Sequence, residues 1–142
     1  LTAWGFPNAD RVYFDETKFD LVISDKPRGS RGKGLRAITH AAFSIALLEY
    51  CISKDLPHPG FIVMDSPLLA YKEPEPGNEN IEKTDLKDKF YRYLANISKD
   101  VQIIICENVA PPNDLQGANI IHFTGNPSVG RYGLFPYVDP LS

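Results

Sequence analysis

Hydrophobic positions along the chain fall into blocks separated by clusters of glycine, proline and charge. RVYFD (11–15) and KFDLVIS (18–24) are short strand-like runs with Glu16 and Thr17 between them, and together they predict a β-hairpin. DKPRGSRGKG (25–34), rich in glycine, arginine and lysine, leads into a helix over about 35–53 that is apolar almost all round. Only Arg36, His40 and Ser44, spaced four apart, form a thin polar stripe, so this helix is expected to be buried on most faces. LPHPG (56–60) breaks the chain before FIVMD (61–65), a continuous apolar run typical of a central strand covered on both faces. KEPEPGNEN (72–80) reads as a solvated loop. Beyond it, Leu86, Phe90, Tyr93, Leu94 and Ile97 recur at helical spacing and predict an amphipathic helix over about 81–98. VQIIIC (101–106) reads as a second buried strand and ANIIHF (118–123) as a third, before an aromatic, Pro/Gly-rich extension. The order hairpin, basic loop, helix, strand, helix, strand, strand predicts an α/β fold with right-handed crossovers.

Composition narrows the picture little. The 142 residues suit one domain with its own core, and 43% hydrophobic with 23% charged residues is ordinary for a soluble protein. A net charge of −3 supplies no global basic field for nucleic acid. Cys51 and Cys106 both sit inside apolar runs, which suits buried thiols in a reducing, cytoplasmic setting rather than a disulfide framework. No stretch reads as long and apolar enough to span a membrane, and no signal peptide is evident. The chain opens on Leu1 without a methionine, and it is expected to be a piece of a longer protein.

GSRGKG (29–34) between an apolar strand and a helix invites a phosphate-loop reading. The spacing opposes it: the phosphate loop is G-x-x-x-x-G-K-[ST], whereas Gly29 lies too near Gly32–Lys33 and Gly34 stands where the hydroxyl belongs. Glycines at a helix start still let backbone N–H groups approach an anion, and Arg28, Arg31, Lys33 and Arg36 add charge there. The alternative is a solvated basic loop with Gly34 near the N-cap.

Taken together, RGKGLRAITHAAFSIAL, FIVMDSPLLAY and VQIIICEN resemble the C-terminal lobe of ABC-type ATPase heads, most of all the SMC-like branch of chromosome maintenance and double-strand-break repair. The resemblance covers about residues 28–124, and the order of its parts agrees. It implies the C-terminal half of a P-loop NTPase head: a mostly parallel sheet with flanking helices behind an N-terminal hairpin. Gly32, Lys33 and Gly34 fall on the signature loop and Arg36 on an arginine just after it, a loop that in the family contacts the γ-phosphate of ATP held by the opposite protomer. Gly32 replaces the signature serine. Phe61 to Asp65 match the Walker B strand, with Asp65 ordering magnesium and its waters. Ser66 stands where the family has its catalytic glutamate, and Leu68 to Lys72 fall on a D-loop without its usual aspartate. Glu107 and Asn108 stand at the switch region, with Glu107 at the family's histidine position. The resemblance implies ATP and magnesium as cofactors, an N-terminal Walker A lobe elsewhere in the parent chain, a head-to-head homodimer, and DNA as the object of the parent's work.

Each residue has a plainer role beside this one. Asp65 could cap the amides of Leu68 or Leu69, Ser66 could be a local cap, and Glu107 could cap the loop VAPPND. His40 and His122 read as core or sheet histidines, Trp4 as a core plug, and Tyr91–Arg92–Tyr93 as helix surface. No two histidines have zinc-ligand spacing. Two functions follow. One is an Mg-ATP-dependent ATPase lobe, inactive as an isolated fragment, in which Glu107 supplies the carboxylate missing at Ser66. The other is a degenerate NTPase domain serving as a regulatory or assembly module.

Overall fold

In the computed structural model, which describes residues 1–6, 9–69, 85–108 and 110–139, β1 (Val12–Asp15) and β2 (Asp20–Ile23) pair antiparallel with Val12 opposite Ile23. The Asp15 carboxylate closes their turn by accepting the N–H groups of Thr17 and Lys18 at 3.0 and 3.1 Å. Ser24 and Asp25 are both left-handed, with φ of 49° and 58°. That is the two-residue turn whose twist matches a hairpin, and it returns β3 (Lys26–Pro27) to β2. The basic loop thus begins as a third strand, one that Pro27 can occupy because it forms a sheet edge.

The long helix α1 runs over Lys33–Ser53. Ile38, Ala41, Ala42, Ile45 and Leu48 pack on the core, and the buried Thr39 hydroxyl donates to Leu35 O at 2.7 Å. The helix is not buried on most faces. Phe43, Leu47 and Tyr50, recurring at helical spacing, stay exposed, with Phe43 stacked on Phe14 of β1 at 6.2 Å. His40 and His122 are exposed, not core histidines. By length and composition α1 is apolar enough to cross a membrane, so the expectation that no stretch reaches that threshold does not hold. Its apolar residues divide between a face on the core and this uncovered stripe.

β4 (Phe61–Asp65) and β5 (Gln102–Cys106) form a parallel pair, in register from Phe61–Gln102 to Asp65–Cys106. α2 (Leu86–Ala95) lies in the crossover. The Pro- and Glu-rich loop, the expected helix start at 81–84 and the latter part of the D-loop-like segment lie outside the described residues. Met64 and the partly buried Ile62, Ile103 and Ile105 face the core. The other face is bare: Phe61 is 51% exposed, Val63 58% and Ile104 40%. An apolar strand covered on both faces is therefore not what forms. Cys106 lies on that bare face and is exposed, while Cys51 is buried.

Trp4 plugs the core from a short 3-10 turn, meeting Phe90 edge-on at 4.9 Å and Tyr93 at 5.9 Å. Residues 118–123 form no strand. Phe123 makes an isolated bridge to Arg131, whose guanidinium lies over its ring at 5.3 Å, and Ile120 and Ile121 are exposed with no neighbouring strand. Among the described residues the fold is mixed α/β, with one three-stranded antiparallel sheet and one two-stranded parallel sheet rather than a mostly parallel one.

Candidate functional site

Parallel pairing brings the ends of β4 and β5 to one edge. Past the Asp65–Cys106 pair, Ser66 N–H donates to Cys106 O at 2.7 Å, so the chain leaves β4 close to Glu107. Ser66 adopts a left-handed backbone with φ of 48°, uncommon for a residue with a side chain. Its hydroxyl donates to Asp65 Oδ1 at 2.9 Å, and its carbonyl accepts the Leu69 N–H at 3.2 Å. The Leu69 amide is thus capped by Ser66 and not by Asp65, whose carboxylate is exposed.

Glu107 behaves differently. Both its carboxylate oxygens are buried, and among the described residues neither has a hydrogen-bond partner. Burial raises its carboxyl above the ordinary range. The Leu68 backbone N–H and Lys87 act against that rise, while Asp65 adds to it. Tyr91, 7% exposed, also has a buried hydroxyl with no partner among the described residues. Its phenol is pushed up to about 12, first by burial and then by Glu107. The edge therefore gathers Asp65, Ser66 and Glu107, and Lys87 and Tyr91 of α2 couple to Glu107 through its charge. Lys87 and Tyr91 were not singled out as site residues in the sequence, although they stand four apart on one face of α2. Tyr91 was assigned to the helix surface and is instead buried.

The basic loop is built in two parts. Arg28 Nε donates to Asp20 Oδ1 at 2.6 Å, and Arg31 donates to Ile23 O while its guanidinium approaches the Phe6 ring at 6.0 Å. Those two cations fasten the loop to β2. Gly32 is the N-cap of α1, and among the described residues no side chain caps the first-turn N–H groups and nothing lies within 4 Å of where a Gly32 Cβ would stand. Lys33 and Arg36 are exposed, and among the described residues neither forms an ion pair. Gly34 falls in the first turn of the helix. No hydrogen bond or ion pair among the described residues joins this loop to Asp65 or Glu107, so these two groups of candidate residues are separate.

Among the described residues no set of three His, Cys, Asp or Glu side chains could hold a metal ion. Asp65 alone suits magnesium, which keeps most of its waters and takes one or two carboxylates alongside phosphate oxygens. A concavity of about 420 Å³ lies on the opposite face of α2 between Glu49, Lys89, Arg92 and Tyr93. Tyr93 donates to Glu49 at 2.8 Å, and Arg92 to Asp88 at 2.6 Å and Asp114 at 3.0 Å, while Lys89 makes no hydrogen bond or ion pair among the described residues. The strand edge, with its unpartnered buried carboxylate, is the better candidate. No protein-family model, curated protein or solved structure matches the chain.

Proposed function

We propose that the chain is the C-terminal lobe of an SMC-like or ABC-like ATPase that binds Mg-ATP. The carrying observation is that parallel pairing brings Asp65, which ends β4, and Glu107, the residue after β5, to the same C-terminal edge, where ligands gather in α/β sheets. In this reading Asp65 holds magnesium, which would neutralise charge developing on the phosphates. Ser66 is not a nucleophile; its hydroxyl fixes one Asp65 oxygen. Glu107 takes the place of the missing Walker B glutamate as general base, a role suited to a carboxyl whose burial raises its proton affinity. The first-turn N–H groups of α1 with Lys33 and Arg36 would meet the phosphate of ATP held by a partner protomer. The bare face of Phe61, Val63 and Ile104 is apolar surface that an N-terminal Walker A lobe would cover. A cytoplasmic parent acting on DNA, in repair, chromosome maintenance or defence, follows from the resemblance alone.

The test is Glu107→Gln in the two-lobe parent protein. Turnover should vanish while ATP binding persists and the dimer is trapped. Hydrolysis at the original rate would place the base elsewhere. The second reading, a degenerate module for regulation or assembly, is favoured by one observation: the residue at the glutamate position, Ser66, has its hydroxyl committed to Asp65. A parent gene lacking G-x-x-x-x-G-K-[ST] and coiled-coil heptads upstream would decide for that module.

A further inference from the structure

Side chains alternate along β5. Ile103 and Ile105 pack toward the core, Ile104 and Cys106 are exposed, and Glu107 continues the inward series one residue past the strand. Both Glu107 carboxylate oxygens are covered, and among the described residues neither has a hydrogen-bond partner. Asp65, by contrast, ends β4 on the exposed side. A carboxyl group thus occupies a position that the pattern of the strand reserves for an apolar side chain. An ionised carboxylate without hydrogen bonds is costly there, whereas the neutral acid is tolerated far better.

Neighbouring charges do not remove that cost. Asp65 of β4 opposes ionisation of Glu107, while Lys87 of α2 and the Leu68 backbone N–H favour it. Lys87 forms no ion pair among the described residues. Tyr91 of α2 keeps its proton, because its phenol is pushed up to about 12. Burial outweighs the favourable charges and holds the Glu107 carboxyl above its ordinary range.

We propose that Glu107 is a proton-operated latch: protonated, it keeps the end of β5 packed on the core, and on ionising it turns out to solvent and loosens the junction of β5 with β4. The proton leaves to bulk water. The route is short. Glu107 lies past the Asp65–Cys106 pair, and the last bond before it runs from the Ser66 N–H to Cys106 O at 2.7 Å. Asn108, next along the chain, is already exposed. Turning out carries the carboxylate toward the side of the edge that Asp65 occupies. For an ATPase lobe the inward arrangement would be the resting one, since a buried neutral acid accepts no proton from water and release supplies the base. That consequence rests on the ATPase reading; the latch itself does not.

The sign of the linkage makes the latch testable in the chain by itself. A carboxyl whose folded pKa is raised contributes stability that is full below the unfolded value, about 4.3 for glutamate, and is lost as pH rises through the folded value. Glu107→Gln keeps the shape of the neutral acid and cannot ionise. It should melt with the wild type below about pH 4 and about 3–6 °C above it at pH 7, the other carboxylates cancelling in the comparison. Amide NMR should show Leu68, Ile105 and Asn108 shifting together in one step centred above about pH 4.3 in the wild type, and no such step in Glu107→Gln. Amides of β5 should exchange several-fold faster in the wild type than in the variant at pH 7 and equally below the step. Parallel melting profiles across this range, or a step that persists in the variant, would overturn the latch. Equal β5 exchange at pH 7 would overturn the loosening of the junction. A two-lobe parent without ATP turnover would remove the resting-state consequence and leave these three measurements to decide the latch.

Discussion

Replacing Ser66 with alanine and with glycine separates two effects that coincide at the end of β4. The residue holds φ at 48°, a left-handed conformation that costs a side-chain-bearing residue about 1–2 kcal/mol relative to glycine. It also donates to Asp65 Oδ1 at 2.9 Å, an exposed hydrogen bond to a carboxylate, of order 1 kcal/mol. Ser66→Ala loses the hydrogen bond and keeps the strain, so it should destabilise by about 0.5–1 kcal/mol. Ser66→Gly loses the same hydrogen bond but relieves the strain, at the expense of roughly 0.5–1 kcal/mol of extra unfolded-state entropy. The glycine variant should therefore be more stable than the alanine variant by about 0.5–1 kcal/mol. Urea denaturation of the three proteins, compared at equal m-values, reads this difference directly. Glycine no more stable than alanine would mean that the backbone at Ser66 is unstrained, and the turn that delivers Asp65 to the strand edge would need another explanation.

Three further outcomes are expected. Trp4→Ala should cost about 3–5 kcal/mol in urea melts, because the ring is 2% exposed and wedged against Phe90 and Tyr93; a loss under about 1 kcal/mol would show that the N-terminal turn is not anchored. Val63→Thr on the bare face of β4 should change stability by less than about 0.5 kcal/mol, whereas Met64→Thr on the inner face should cost about 2–4 kcal/mol; equal costs would contradict the one-sided burial. The Arg28 guanidinium, followed by the Leu21 N–H, holds the Asp20 carboxyl below its ordinary value. A folded pKa below the unfolded one gives stability that is present above the unfolded pKa and lost as pH falls through the folded one. Asp20→Asn should therefore flatten the melting profile below about pH 4, and an unchanged acid limb would count against the pair.

The elements most legible in the sequence were those bounded by breakers. FIVMD between LPHPG and Ser66–Pro67 became β4 with the expected limits, and VQIIIC became β5 but for its first residue. Their neighbouring ends, and hence the meeting of Asp65 with Glu107, follow from a strand–helix–strand order. An apolar run states what a strand is able to bury and not what is present to cover it, which is why the outer face of β4 and the Phe43–Leu47–Tyr50 stripe were misjudged. β3 escaped notice because two residues carry no periodicity. ANIIHF had the composition of a strand and found no edge to pair with. Tyr91 stood one position off the Leu86–Phe90–Tyr93 stripe, and only its burial against Phe90 in the fold reveals it.

The wide separation of β4 and β5 along the chain sets when the candidate site comes into being. The hairpin closes over residues 16–19, whereas the parallel pair must close over 66–101, a segment roughly nine times longer. By loop-closure entropy alone that difference costs about 2 kcal/mol more, and one of the two interfaces on offer, the outer face of the pair, returns nothing for it within this chain. By this measure the hairpin is expected to form early, and β5 to dock late and open first. Asp65 and Glu107 come from opposite sides of that last junction. Slow amide exchange in β1 and β2 beside faster exchange in β5 would mark the carboxylate edge as the final part of the molecule to assemble, so that the site exists only once folding is complete.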